Sequence, residues 1–359
     1  MSLTRTTAFR APLTRRGFIA AAAAVPASLA LVLAGCGASS AGTASASSGS
    51  AAGSSSSSGA LKKVRFATPG QDGTLSVGLG IAQAKGFLAE ELEKVGYEPE
   101  YAGFAQAGPA INEALASGAI DIAEYGDLPG YGAIAKGVPI KAFALASSVI
   151  PFGIYVTNAS GIKDVHGLKG KRLIVPFGTV PHRYLLKVLA DNDLKPTDLN
   201  LINAAYDGLS IITSGQADAA AFPLESIYAG FDMSKGKVMV TSYEKDDYSS
   251  TFPVFYRTAF HKENPEVAPA ITRSLERAFE FATSDRAGAV QSLVTKSVSQ
   301  DTIEKTYPNG FGTFDPRITD SVESKIEDLG TFMVDNKLAS KTISLDEFFD
   351  YDVTKQVLG

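Results

Sequence analysis

"SGAIDIA" at Ser117–Ala123 and "SGQADAA" at Ser214–Ala220 spell one pattern, Ser-Gly-x-x-Asp-x-Ala, 97 positions apart. Each closes a run of helical character, "QAGPAINEALA" and "DGLSIIT", and each leads into small apolar residues. A glycine there tolerates the left-handed conformation that ends a helix. Each copy therefore reads as a helix stop followed by a strand start. The surroundings repeat as well. "VRFATPG" (64–70), a helical stretch (73–96) and "YEPEYAGF" (97–104) precede the first copy; "RLIVPFG" (172–178), "VPHRYLLKVLADN" (180–192) and "LNLINAAY" (199–206) precede the second. Strands alternating with helices indicate βαβ units, and their recurrence predicts two similar α/β lobes, each a mostly parallel sheet flanked by helices.

Two stretches join the halves. "ALASSVIPFGIYVTN" (144–158) carries an apolar strand through Ser147-Ser148 into another, and "YEKDDYSSTFPVFYRTAF" (243–260) returns. Two crossings between two lobes make a hinge. The division expected is 61–148 for the first part of lobe 1, 149–250 for lobe 2, and 251–359 for the second part of lobe 1 with C-terminal helices. The stretch 264–282 reads as a helix capped by Asn264 with Pro265 at its first position. Val267, Ile271, Leu275, Ala278 and Ala282 fall on one face, which is expected to pack on the first lobe.

The front of the chain has a different character. Its first 35 residues contain Arg5, Arg10, Arg15 and Arg16 and no acid, and the apolar run Phe18–Leu33 follows. That run suits an export signal and is short for a spanning helix, which needs about 20 residues. Thr14-Arg15-Arg16-Gly17-Phe18 resembles the twin-arginine export motif. Leu33-Ala34-Gly35-Cys36 resembles the bacterial lipobox, which implies a lipid on Cys36 and cleavage just before it. Cys36 is the only cysteine in the chain. Residues 37–60 are nearly all Ser, Ala and Gly and cannot bury a core, so they read as a flexible tether of about 25–30 Å mean reach. Residues 1–35 are thus expected to be a removed signal, and 36–60 a lipidated cysteine with its linker.

The whole chain carries a formal charge of −5, and loss of the four leader arginines takes it to −9. No basic tract interrupts it, which argues against a nucleic-acid partner. A single cysteine excludes internal disulfides. His166, His182 and His261 lie in three separate segments without metal-ligand spacing. G-x-S-x-G, H-E-x-x-H and Walker motifs are absent from the sequence. The reading is therefore a binding protein with no cofactor and no metal, rather than an enzyme.

In open α/β sheets ligands bind beyond the carboxyl ends of the strands, so the repeat nominates four loops around one cleft. The first offers Gln71, Asp72 and Thr74 in a glycine-flanked turn, and the second Gly126 and Asp127. The third, Thr179 to His182, opens a helix whose free N–H groups suit an anion, with His182 as an adjustable donor. The fourth places Glu225 where it can meet a cationic or amide group or face water. Asp127 can accept from an amine or cap its helix. Tyr125, Phe177 and Phe222 flank the same loops, as stacking faces or as core. Acids beside helix starts leave an anion, a zwitterion and an amine-bearing heterocycle all open.

These residues resemble the substrate-binding proteins of ABC importers in the aliphatic sulfonate, taurine and nitrate group. The resemblance runs from about Val64 to Ala282 and rests on "IAQAKGFLAEEL", "AGPAINEALASGAIDIAEYGDLP", "KDVHGLKGKRLIVPFGTVPHRYLLKVL" and "HKENPEVAPAI". It implies a two-lobed, type II periplasmic-binding-protein-like fold and a monomeric, lipid-anchored receptor on the extracytoplasmic face of the bacterial plasma membrane. Such a receptor hands a small polar solute to a permease driven by an ATPase. A pyrimidine or amine solute, or sensing without transport, are the alternatives. Many relatives carry tryptophan near the third strand of the second lobe. This chain has none and reads "AAAFPLESIYA" there, which leaves the solute class open.

Overall fold

The structure, a computed structural model, describes residues 60–205 and 208–359. The expected export signal, Cys36 and nearly all of the tether lie outside the described residues. Four strands come first: β1 (Lys62–Pro69), β2 (Tyr97–Phe104), β3 (Ile122–Glu124) and β4 (Ile140–Ile150). Five follow in a second sheet: β5 (Phe152–Thr157), β6 (Arg172–Ile174), β7 (Asn200–Ile202), β8 (Ala219–Pro223) and β9 (Gly236–Thr241). β10 (Ser250–Arg257) then returns to the first.

The sheet orders are β2-β1-β3-β10-β4 and β7-β6-β8-β5-β9, so the repeat seen in the sequence is a repeat of topology, strand for strand. Both sheets are mixed, and mostly parallel as expected: four of the five strands in each run one way, and the crossing strand runs against them. β1 is parallel to β2 and β3, whereas β10 is antiparallel to β3 and β4. β6 is parallel to β7 and β8, whereas β5 is antiparallel to β8 and β9. Parallel neighbours need a long crossover. A strand arriving directly from the other lobe has none and enters its sheet running the opposite way. Only Pro151 separates β4 from β5.

The Ser-Gly-x-x-Asp pattern has a structural partner that the sequence did not disclose. Gly118 and Gly215 adopt φ of 75° and 73°, the left-handed conformation that favours glycine. Asp121 then accepts from the Arg65 backbone N–H at 3.2 Å and from its Nε and Nη2 at 2.8 and 2.6 Å. Asp218 accepts from the same three groups of Arg172 at 2.9, 3.1 and 2.9 Å. Each arginine stands one residue before the pairings Phe66–Ile122 and Leu173–Ala219. A bidentate charged clamp thus fixes β1 to the start of β3 and β6 to the start of β8.

Helices α1 (Val77–Ala84), α2 (Phe87–Glu93), α3 (Gly108–Ser117) and α4 (Asp127–Ala135) belong to the first lobe. The second holds α5 (Val180–Ala190), α6 (Leu209–Thr213) and α7 (Leu224–Gly230). The stretch 73–96 is two helices, broken at Gly86 with φ 79°. The C-terminal part contributes α8 (Thr258–Glu263), α9 (Val267–Ser284), α10 (Arg286–Leu293), α11 (Gln300–Thr306), α12 (Asp320–Asp335), α13 (Leu345–Phe348) and α14 (Tyr351–Leu358).

The five apolar residues on one face of α9 are all buried, and the helix packs on α1 and α2 of the first lobe. Its expected cap does not form. Asn264 instead closes α8, donating to the Phe260 carbonyl at 2.9 Å and accepting from the Tyr97 hydroxyl at 2.6 Å. Nor does all of the C-terminal part stay with the first lobe. α10 packs on α1, but α11 packs on α7, and the Tyr243 hydroxyl donates to the Thr306 carbonyl at 2.6 Å. The segment around α10 and α11 therefore touches both lobes.

Candidate functional site

A cavity of about 820 Å³ opens between the two sheets, within the size range of small-molecule sites. Loops at the carboxyl ends of β1, β3, β6 and β8 surround it, together with the crossing residues Ile150, Phe152 and Phe252. The four loops nominated by the repeat therefore converge on one space.

Six of the expected contact residues line it: Gln71, Asp72, Thr74, Gly126, Thr179 and Glu225. The turn 70–73 can lie flat because its neighbour on β2 is Gly103, where a Cβ would come within 2.6 Å of the Gln71 backbone. Asp72 shapes the same turn by accepting from the Thr74 N–H at 3.0 Å. Gly126 lets the start of α5 in the second lobe pack closely, since a Cβ there would meet Val180 at 2.3 Å. Thr179 precedes α5 but donates its hydroxyl to the Pro176 carbonyl.

Asp127 and His182 are not among the lining residues. Asp127 is fully buried. Its Oδ1 accepts from the Leu128 N–H at 2.7 Å, and its Oδ2 from the Thr251 N–H and hydroxyl at 2.8 and 3.1 Å. Its carboxyl ties the start of α4 to β10, which accounts for an acid at that position without a ligand. His182 stacks on exposed Phe177 at a centroid distance of 4.9 Å, and its Nδ1 accepts from the Gly178 N–H at 3.4 Å. Burial lowers its pKa, which favours the neutral ring.

Sequence reasoning missed Glu124, Ser76, Tyr307 and the segment before α11. Glu124 ends β3 and is fully buried. Its Oε1 accepts from the Thr68 hydroxyl at 2.9 Å and from the Ser76 N–H and hydroxyl at 2.6 and 3.0 Å. Its Oε2 is buried without a hydrogen-bond partner among the described residues. Ser76 lines the cavity, as do Tyr125 and Gly126, which follow Glu124 in the chain. The one legible sign was a break in the repeat: "DIAE" ends in an acid where "DAAA" ends in Ala221. Nothing in the sequence marked Tyr307 or Ser292–Val294.

Electrostatics set this cavity apart. Burial pushes the Glu124 carboxyl up to about 7 against the opposing hydrogen bonds from Ser76 and Thr68, with the charge of Glu225 adding to the rise. Loss of solvent around Glu225 pushes it up to about 7 as well. Tyr307 is raised by burial first and then by Glu225, Tyr243 and Glu124. Among the described residues, no Lys, Arg or His lines the cavity. Val77 and Ala107, both lining, hold φ of 47° and 54°. Such conformations are costly for residues with a Cβ and concentrate at functional sites.

Two hinged α/β lobes of matching topology around a shared cavity define a two-lobed solute-binding fold. The chain belongs to the NMT1/THI5 like family, whose profile matches residues 74–289. It is 27% identical over 287 residues to a Bacillus subtilis (strain 168) protein named for binding aliphatic sulfonates, covering 77% of this chain and 84% of that one. It is 30% identical over 171 residues to the taurine-binding periplasmic protein of Escherichia coli (strain K12), covering 46% and 52%. The alkanesulfonate-binding protein of Xanthomonas axonopodis pv. citri, solved bound to MOPS, shares the fold with a TM-score of 0.68 at 20% identity, over 81% of this chain and 99% of that one.

Proposed function

We propose that this protein is the extracytoplasmic substrate-binding component of an ABC importer, which captures a small polar solute between its lobes and delivers it to a membrane permease. It performs no chemistry of its own. The observation that carries the reading is the convergence of four strand-end loops from two hinged sheets on one cavity; the names of its relatives agree with it. The two crossings, Pro151 and residues 242–249, allow one lobe to swing towards the other, and closure over ligand is the motion this architecture uses. A permease can then distinguish loaded from empty receptor by the surface each presents.

The leader motif extends the reading to a lipoprotein exported by the twin-arginine route and held at the membrane through Cys36. Several acyl chains anchor stably where one does not. Cys36→Ala is expected to move the protein from the membrane fraction to the soluble one, without changing its fold. The binding reading is tested by thermal unfolding across sulfonates, nitrate, carboxylates, amines and pyrimidines, with small-angle scattering in parallel. A solute at 100 times its Kd should stabilise by about 2.7 kcal/mol, a rise of roughly 2–5 °C, with measurable compaction. Absence of both across the panel, after refolding to strip retained solute, would overturn the receptor reading.

A further inference from the structure

We propose that the cleft selects a small organic solute bearing an amino or amidino group, seated with its N–H donors on Glu225, with the charge of Glu124 behind Ser76 favouring the same cation. This rests on the receptor reading above and names its ligand class.

The helix starts around the cavity are already supplied with negative charge. At α1 the Ser76 N–H donates to Glu124 at 2.6 Å. α4 and α7 carry Asp127 and Glu225 in their first turns. The starts of α3 and α5 have proline at the second helical residue, Pro109 and Pro181, and proline lacks the donor an anion would need. Among the described residues, the charged side chains lining the cavity are Asp72 and Glu225, with no cation. A free anion would therefore enter against two carboxylates and find no counter-charge.

A donor-rich head group meets the opposite situation. Glu225 lines the wall and makes no hydrogen bond or ion pair with any described residue. Glu124 is not itself a lining residue; it stands behind Ser76, which lines the cavity and donates to it from its N–H and hydroxyl at 2.6 and 3.0 Å, so its carboxyl acts on the cavity through its charge. Tyr307 borders the same space. Phe152, Phe222, Phe252 and Leu293 supply apolar walls for the body of the ligand. Two neighbouring carboxyls resist joint ionisation, and a bound cation relieves that repulsion. Tyr307 feels the charge of both carboxyls and is uncharged at neutral pH, and no cation is among the described lining residues to compensate them. Affinity for an ammonium probe should accordingly rise from pH 6 to pH 8, with protons released on binding.

The test uses refolded protein and matched probes: benzylamine and benzamidine against benzenesulfonate and benzoate, and taurine against ethanesulfonate. In parallel, the protein is exposed to a small-molecule extract of bacterial cells, and what it retains is identified by native mass spectrometry. The expected result is stabilisation only by probes with a basic nitrogen, with at least a tenfold loss of affinity in Glu225→Gln and a smaller loss in Glu124→Gln. Both variants should melt no lower than the parent, which separates lost binding from lost folding. Stabilisation by benzenesulfonate or ethanesulfonate equal to that of the amine partner, or a Kd within twofold of the parent in Glu225→Gln, would overturn the proposal. A retained molecule without a basic nitrogen would sink the ligand class and leave the receptor standing. No stabilising probe and no retained molecule would remove both.

Discussion

The two lobes share one plan of strands, and two of their differences within it are telling. In the first lobe the repeated aspartate, Asp121, is 3% exposed and accepts from Arg257 at 3.2 Å in addition to Arg65. In the second, Asp218 has Arg172 and, on the equivalent crossing strand, Thr157, whose backbone N–H donates to the Asp218 carbonyl at 3.0 Å as the Arg257 N–H does to Asp121 at 2.9 Å. Three residues further on, Glu124 stands in the first lobe and Ala221 in the second, with Thr68 matched by Val175. The first difference concerns how firmly a sheet is fastened. The second replaces an apolar strand end with a buried carboxylate, and that change borders the cavity. A repeat fixes the frame, and departures from it locate the chemistry.

Making the lobes alike should be the most damaging change. Ala221→Glu puts a carboxylate into the second sheet at a fully buried position, with Val175 where Thr68 would donate. An unpaired buried charge of this kind costs about 3–5 kcal/mol, so urea unfolding should show a loss of that size or no folded protein at all. Asp121→Ala comes next. It strips a buried acceptor from two arginines, and charged hydrogen bonds are worth about 1.5–3 kcal/mol each. Because the Arg65 side chain is 39% exposed and water takes over part of its solvation, a net loss of about 2–4 kcal/mol is expected. Asp218→Ala should cost clearly less, and its effect should shrink in added salt, because the exposed Arg172 side chain is screened. Equal losses from the two aspartates would mean that the second arginine contributes nothing to the first clamp.

The fold was legible for a physical reason. A helix stop at glycine, an aspartate and a return to small residues is local chemistry written in adjacent positions, and two copies of it defined two lobes. The clamp was not legible, because Arg65 and Arg172 lie about fifty residues before their partners and nothing local marks them. Six of the eight nominated contact residues line the cavity, since strand ends fix where loops point. Asp127 and His182 are not among its lining residues because Thr251, on a strand far along the chain, engages the first and the neighbouring Phe177 stacks on the second. Tyr307 was out of reach altogether: it comes from the C-terminal part, and only the crossing of α11 to the second lobe brings that part to the site.

The smallest effect in the set is also the most discriminating, because it asks whether the departure at Glu124 has a cost. An acid whose native pKa is pushed up to about 7 from its ordinary value binds a proton more tightly folded than unfolded. Stability therefore falls as pH rises from about 4.5 to 7, since the native state retains protons that the unfolded chain has already lost, and the loss is complete above 7. Glu225 adds a contribution of the same sign. The neutral amide introduced by Glu124→Gln removes one of these penalties while keeping an oxygen for the Thr68 and Ser76 donors. This variant is thus expected to melt higher than the parent by a few degrees at pH 8, and at nearly the same temperature at pH 5. Ala221→Ser, a polar change at the matching position of the second lobe, should leave the pH slope untouched. An unchanged slope in Glu124→Gln would show that the Glu124 carboxyl ionises normally despite its burial, and that water already meets its free oxygen.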